Sequence, residues 1–318
     1  MTDLGKSDDG TFPRPINFPI PIADVITRVD LPVHSVIGDP QTMVESAAAL
    51  DEGQPGTIVF CNRRGERARK MIDGSRASLV VCYPDVGHDD GKCYIYVDDP
   101  KHWFCAFLND QFPEDTHQDP APEGTSDGQC GRFPGVTFGR GCVINPDVQI
   151  GPGSIIGNNV SIYRRSRIGR YCVIADGCVI GGNGISFTKT PQKTWMAFPH
   201  LGRVVIGDNV RLGQNTVVQR GLLKDTQLND EVKIGALVNV AHNSIIGKRT
   251  WISAGITFCG SVRTGEDVFI GAGAILSNHL RIGSNAKVAA GSFVVKNISP
   301  GTCVLGSPAR QVPFLSEF

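Results

Sequence analysis

Apolar residues recur at every sixth position from Leu228 to Val294: Leu228, Ile234, Val240, Ile246, Ile252, Phe258, Ile270, Leu276, Ile282, Val288 and Val294, with Thr264 the one polar member. A helix repeats near 3.6 residues and a strand at two, so a fixed period of six predicts a parallel β-helix. Four places after these residues come small or β-branched ones, such as Val232, Val238, Ser244, Thr250, Ile256 and Ala274. Two of every six side chains therefore face inward, one strand residue faces outward, and three residues make a corner that glycine often opens. Three strands and three corners close a coil of eighteen residues, which stacks residue n on residue n+18 at roughly the 4.8 Å strand spacing.

The same period runs from Phe138 to Ile180, disappears from Gly181 to Arg203, and returns at Ile206, Leu212 and Val218. A slip of four residues near Leu222 to Thr226 precedes the long run, and the hexads together make about eight coils. The β-helix is assigned to 136–298, with a loop at 181–203 of a length that serves a site or an interface. Upstream, 21–112 reads as a small α/β domain. Its predicted strands are Thr57 to Cys61, Ala77 to Tyr83 and Tyr94 to Val97, and its predicted helices Ile22 to Val29, Arg63 to Ile72 and Pro100 to Phe112. Residues 1–20 read as an arm, 113–135 as a linker rich in Asp, Pro, Gly and Ser, and 299–318 as a tail outside the period.

Composition narrows the partners. A chain of 318 residues with formal net charge zero gives no electrostatic reason to expect nucleic acid, and no apolar run of eighteen residues offers membrane insertion. A cytoplasmic location is expected. The ten cysteines form no C-x-x-C pair, and Cys142, Cys172 and Cys178 fall in the small inward slot, as buried fillers would. No H-x-x-x-x-H pair is present, so no metal is expected.

The stacking rule selects the candidate chemistry. His242 and His279 are corner residues on one edge of the prism, and neither occupies an inward slot. Residue 260, one coil above His242, is glycine. An imidazole beside a bare backbone N–H supplies what acyl transfer needs: a base for the incoming amine or hydroxyl, and a donor for the oxyanion. The repeat fixes no acidic partner next to His242, although Asp225 and Asp230 lie near the preceding coil. Outward positions sort into faces carrying Trp251 with Phe269, Ile275 with Phe293 and Thr257, and Ile245 with Arg263 and Arg281. Stacked apolar residues there call for a neighbouring subunit or an acyl chain.

The stretch from Gly202 to Val210, followed by Gly213, Asn215-Thr216, Arg220-Gly221 and Val240-Ala241-His242-Asn243, resembles the UDP-3-O-acylglucosamine N-acyltransferases of lipid A synthesis. Gly38-Asp39-Pro40, Leu50-Asp51-Glu52, Phe60 and Asn62 extend the resemblance over nearly the whole chain. It implies a left-handed helix, a homotrimer, a nucleotide-binding N-terminal domain, His242 as general base, Gly260 N–H in the oxyanion hole and His279 as a second site histidine. Phe60, Asn62, His200, Gln219 and Asn243 are then expected on a nucleotide-linked amino sugar, and Ile275 and Arg310 on the acyl donor. The donor is expected to be acyl-CoA or acyl carrier protein, with no tightly bound cofactor.

The chain departs from the family where Gly65 replaces a tyrosine that helps hold uracil, at Gly235, and at Val218-Gln219. Its Gly306 to Arg310 segment resembles the tail of CoA-dependent sugar acetyltransferases. The expected activity is N-acyl transfer to a nucleotide amino sugar for surface polysaccharide or lipopolysaccharide. The alternatives are the lipid A enzyme itself and, in another class, a non-catalytic nucleotide-sugar binder. A metal-dependent hydratase on the same helix would need the missing histidine pair.

Overall fold

The computed structural model describes residues 18–112 and 132–313. The expected arm up to residue 17, most of the expected linker and the last five residues lie outside the described residues. Two compact units result: one made of 18–112 with Ile185–Leu201, the other of 132–184 and 202–313.

The first unit is built on a five-stranded sheet in the order Ser35–Ile37, Cys93–Tyr96, Leu79–Cys82, Thr57–Phe60 and Ser46–Ala47. All neighbours pair in parallel except the edge strand Ser35–Ile37. Leu79–Cys82 and Cys93–Tyr96 are buried at every residue, as continuous apolar runs in parallel sheets are. Helix Gly65–Asp73 connects two parallel strands, burying Ala68 and Ile72, and Pro100–Gln111 follows the last of them with Asp99 Oδ1 capping His102 N–H. Short strands at Ser35–Ile37, Met43–Val44 and Ser46–Ala47 carry no clear alternation and escape the sequence pattern.

The expected loop is an antiparallel hairpin, Phe187–Lys189 with Trp195–Ala197, and it belongs to this first unit. Asn109 Nδ2 donates to Ala197 O at 3.1 Å, Lys101 Nζ to Phe187 O at 3.2 Å, and Phe198 joins Phe60 and Phe104 in one aromatic cluster.

The second unit is a left-handed parallel β-helix whose three faces carry seven, eight and ten strands, the last including an antiparallel hairpin. Register follows the hexads: Ile234, Ile252, Ile270 and Val288 are successive partners on one face, and Val240, Phe258, Leu276 and Val294 on another. Their inward side chains form one continuous core, with Phe258 and Ile270 fully buried. Ile168 pairs with Ile206 and Ile206 with Leu228, which locates one long excursion and one four-residue slip in the repeat. Thr264, the polar exception, accepts the Gly247 N–H on Oγ1 at 2.8 Å. The inward thiols of Cys142, Cys172 and Cys178 are fully buried and donate to the carbonyls of Gly157, Gly207 and Gly213.

At the corners, the fourth residue of a hexad takes a left-handed backbone, as Asn209, Asn215, Asn243, Ser261 and His279 do. Asparagine and glycine tolerate that region best, which accounts for their frequency there. The repeat does not end at Ile298: Cys303–Gly306 pairs in parallel with Lys287–Val288 and then antiparallel with Ala309–Val312. Among the described residues no helix is long and apolar enough to cross a membrane.

Candidate active site

His242 follows the strand Asn239–Val240, at the third place of its hexad, and is half-buried. Gly260 holds the same place one coil on. A Cβ there would stand 2.5 Å from His242 Cε1 and 2.6 Å from Nε2, so the imidazole lies directly against the glycine backbone. Only a residue without a side chain leaves the ring in that position.

The orienting partner of His242 is Asn243, whose Oδ1 lies 3.0 Å from Nδ1. The same Oδ1 accepts the Leu222 N–H at 2.9 Å, which fixes it as the amide oxygen. In the neutral ring Nδ1 then carries the proton, and Nε2, the nitrogen against Gly260, carries the lone pair. Asn243 is itself fixed by its N–H to Thr226 Oγ1 at 2.9 Å. Both Leu222 and Thr226 come from the four-residue slip, so the irregularity in the repeat builds the support of the histidine. That turn is tight: a Cβ on Gly221 would lie 1.5 Å from Lys224 O. Arg203 pins it through Asp225, with Nε 3.0 Å from Oδ2. Asp230 is paired with Lys248 at 2.9 Å.

Two of the expected site residues already have partners within the protein. Asn243, expected on the acceptor substrate, spends its amide oxygen on His242 and Leu222. Gly260 N–H, expected to await an oxyanion, donates to Asn278 Oδ1 at 2.8 Å. Asn278 occupies the third place of the hexad one coil on from Gly260 and so stands directly on the His242–Gly260 stack, whereas His279 is one place further along the corner. His279 is exposed, with φ of 62°, and its N–H donates to Gly260 O at 3.0 Å.

Gln219 lies on the same edge one coil before His242, its Nε2 3.3 Å from Asn239 Oδ1. Along the adjoining face the outward residues run Asn239, Thr257, Ile275, Phe293, from polar to apolar, and the last two are exposed. Arg310 is exposed on the C-terminal hairpin, which extends a different face from that of Ile275.

In the first unit, Phe60 ends a parallel strand and packs on Phe104, with ring centroids 4.9 Å apart. Asn62 Oδ1 accepts from the Tyr83 hydroxyl at 2.8 Å, and the Arg64 guanidinium covers the Tyr83 ring at 3.8 Å. These residues sit at the carboxyl ends of the parallel strands, where open α/β sheets bind ligands. Tyr83 was not singled out by the sequence; its place just after a buried strand is the signal. Gly65 has φ of 56° and nothing within 4 Å of an added Cβ. His200 is buried in this unit, at 3% exposure, and not offered to solvent. Among the described residues no group of three or more His, Cys, Asp or Glu could hold a metal ion.

Comparison with known proteins agrees with the repeat. The family described as bacterial transferase hexapeptide (six repeats) matches residues 147–182, and the hexapeptide repeat of succinyl-transferase matches 203–239 and 261–296. Among solved structures, the Francisella novicida UDP-N-acetylglucosamine acyltransferase is 19% identical, with a TM-score of 0.45 over 57% of this chain and 67% of its own. The Pseudomonas syringae UDP-3-O-acylglucosamine N-acyltransferase is 28% identical over 235 residues, 68% of this chain and 66% of the relative. The Coxiella burnetii protein of the same name is 31% identical over 246 residues, 71% of each chain. With that identity and coverage, this chain belongs to the UDP-3-O-acylglucosamine N-acyltransferase family.

Proposed function

We propose that the protein transfers an acyl group from a carrier thioester, acyl-CoA or acyl carrier protein, to the amine of a nucleotide-linked amino sugar. The observation that carries this reading is the His242 imidazole, with Nδ1 held by Asn243 and Nε2 packed against the Gly260 backbone. As the amine nitrogen attacks the thioester carbon, Nε2 takes its proton; the C–S bond of the tetrahedral intermediate then breaks, the imidazolium returns that proton to the sulfur, and the carrier leaves as its free thiol. The carbonyl oxygen, negative in that intermediate, is stabilised by the Gly260 N–H. Gln219 and Asn239 give the edge polar groups suited to the sugar, and Ile275 and Phe293 an apolar strip suited to an acyl chain. Nucleotide recognition is assigned to Phe60, Asn62 and Tyr83 of the first unit, and the chain is expected to act as a cytoplasmic homotrimer in surface polysaccharide or lipopolysaccharide synthesis.

Mass spectrometry of products from a panel of nucleotide amino sugars, each offered with acyl-CoA and with acyl carrier protein, tests this. An amide product that disappears with His242→Ala is expected. Binding of nucleotide sugars without any acylated product from any pair would instead favour the non-catalytic binder, and a product confined to UDP-3-O-acylglucosamine would identify the lipid A enzyme.

A further inference from the structure

We propose that Asn278 is a displaceable plug in the oxyanion site, a positioning residue whose Oδ1 takes the Gly260 N–H in the resting protein and yields it to the thioester oxygen. The inference rests on the acyl-transfer reading and deepens it. Its first support is position: Oδ1 is 2.8 Å from Gly260 N, in the place any oxygen bound by that N–H must occupy. An amide carbonyl and a thioester carbonyl are the same kind of acceptor, so the two compete for one donor.

The second support is the contrast in mobility around the bond. Gly260 is buried, and the chain on both sides of it is fixed: Cys259 N–H donates to Leu276 O at 2.9 Å, and Gly260 O accepts from His279 N–H at 3.0 Å. Asn278 is exposed, so its side chain can swing into solvent without opening a cavity. The donor keeps its direction while the plug leaves.

The third is the contrast with the carboxylate rungs at the same place in the hexad. Asn158 N–H donates to Asp176, Arg170 N–H to Asp208 and Asp208 N–H to Asp230, whereas Arg140 N–H donates to the Asn158 amide oxygen and Glu266 N–H to the Ser284 hydroxyl, so the ladder uses both charged and neutral acceptors. A carboxylate binds an N–H more strongly than an amide oxygen does, and it would set a negative charge beside a developing oxyanion. At the rung above His242 the acceptor is neutral, and therefore the weaker and the more easily displaced.

The plug and a merely structural rung predict opposite orders of activity, which makes Asn278→Ala and Asn278→Asp the test. As a structural rung, Asp would be the better replacement, because Asp serves elsewhere in the ladder. As a plug, Ala frees the N–H and should lower the donor KM and raise kcat/KM about 2- to 10-fold. Asp should hold the N–H, keep the wild-type Tm, and lower kcat about 10²- to 10³-fold, the loss expected when an oxyanion donor is removed. Wild-type kinetics in Asn278→Asp together with losses in Asn278→Ala would overturn the proposal. Calorimetry with a non-hydrolysable ketone analogue of acyl-CoA gives a readout free of turnover. Tighter binding by the Ala variant and weaker by the Asp variant supports the plug; equal binding by all three, or none, overturns it. A wild-type protein that binds the analogue in that order yet acylates no amino sugar would defeat the acyl-transfer reading and leave the plug standing.

Discussion

His242 Nδ1 lies 3.0 Å from the Oδ1 of Asn243, the residue next to it in the chain. Neighbours in sequence rarely meet this way, and here the left-handed backbone of Asn243, with φ of 62°, turns its side chain back toward the ring. A neutral amide oxygen at Nδ1 fixes the tautomer. Asn243→Ala should lower kcat about 10-fold or more, by releasing ring and tautomer together. Asn243→Asp should keep the orientation but favour the imidazolium. Since the base must be neutral to act, the acid limb of kcat/KM should move to higher pH. A pH–rate profile with an unmoved limb would count against Nδ1 bonding as the tautomer control.

Gly260→Ala separates the site's shape from its chemistry. The new Cβ would fall 2.5 Å from the ring of His242, and the ring must move while the N–H stays. We expect kcat to fall about 10²-fold or more, approaching the 10²- to 10⁴-fold loss of His242→Ala, with nucleotide-sugar binding nearly intact in both. Near-wild-type turnover in His242→Ala from pH 6 to 9 would remove the base assignment in favour of an amine already deprotonated on binding.

The helix was legible because burial of two side chains in six leaves a period that neither an α-helix nor a single strand gives, and the outward pairs Trp251 with Phe269 and Ile275 with Phe293 follow from counting alone. The hairpin of Ile185–Leu201 was visible only as lost period, since its partners Cys105, Asn109 and Phe104 are some ninety residues away. The role of Asn243 depends on a left-handed corner and on Leu222, which the slip moves out of the count. Asn278 was within reach: two steps of eighteen from His242 lead to it, and the chemical appeal of His279 lies one place beyond.

Carboxylates on the helix corners should make the fold acid-sensitive. Asp176 is held below the ordinary carboxylate range by the Asn158 backbone N–H, Asp230 by Lys248 and Asp267 by Arg249. A lowered folded pKa contributes stability that is present above the unfolded value and lost as pH falls through the folded one. These groups should therefore leave Tm unaffected by pH well above about 4 and lower it steeply below. Asp176→Asn, which keeps an acceptor for the Asn158 N–H, should lose less Tm between pH 5 and pH 3 than the wild type. Parallel melting curves would disprove the ladder's part in acid sensitivity.

Assembly is the next expectation. Trp251 is 62% exposed and meets Phe269 edge to face at 6.2 Å, and Ile275 and Phe293 stack exposed on another face. Such apolar surface is stabilised when a second copy covers it. Light scattering at micromolar concentration should give the mass of three chains, and Trp251→Glu should shift it toward one. A wild-type monomer would sink the trimer and leave the apolar strip to the acyl chain alone.

The last prediction concerns the base of the nucleotide. Phe60 and Asn62 stand at the carboxyl ends of the parallel strands, while position 65, where the family resemblance implies a tyrosine, is a glycine with open space where a side chain would begin. Wild-type calorimetry should show little preference for a UDP-sugar over its dTDP or GDP counterparts. Gly65→Tyr returns a ring but pays for a left-handed backbone at φ of 56°, about 1–2 kcal/mol. Gly65→Ala carries the same backbone cost without the ring and is therefore the proper reference. An aromatic ring stacked on a base contributes about 1–3 kcal/mol, so Gly65→Tyr should bind UDP about 5- to 100-fold more tightly than Gly65→Ala, with similar Tm. Equal affinities would mean that position 65 does not face the base, and that Tyr83, already bonded to Asn62, is the aromatic residue to test in its place.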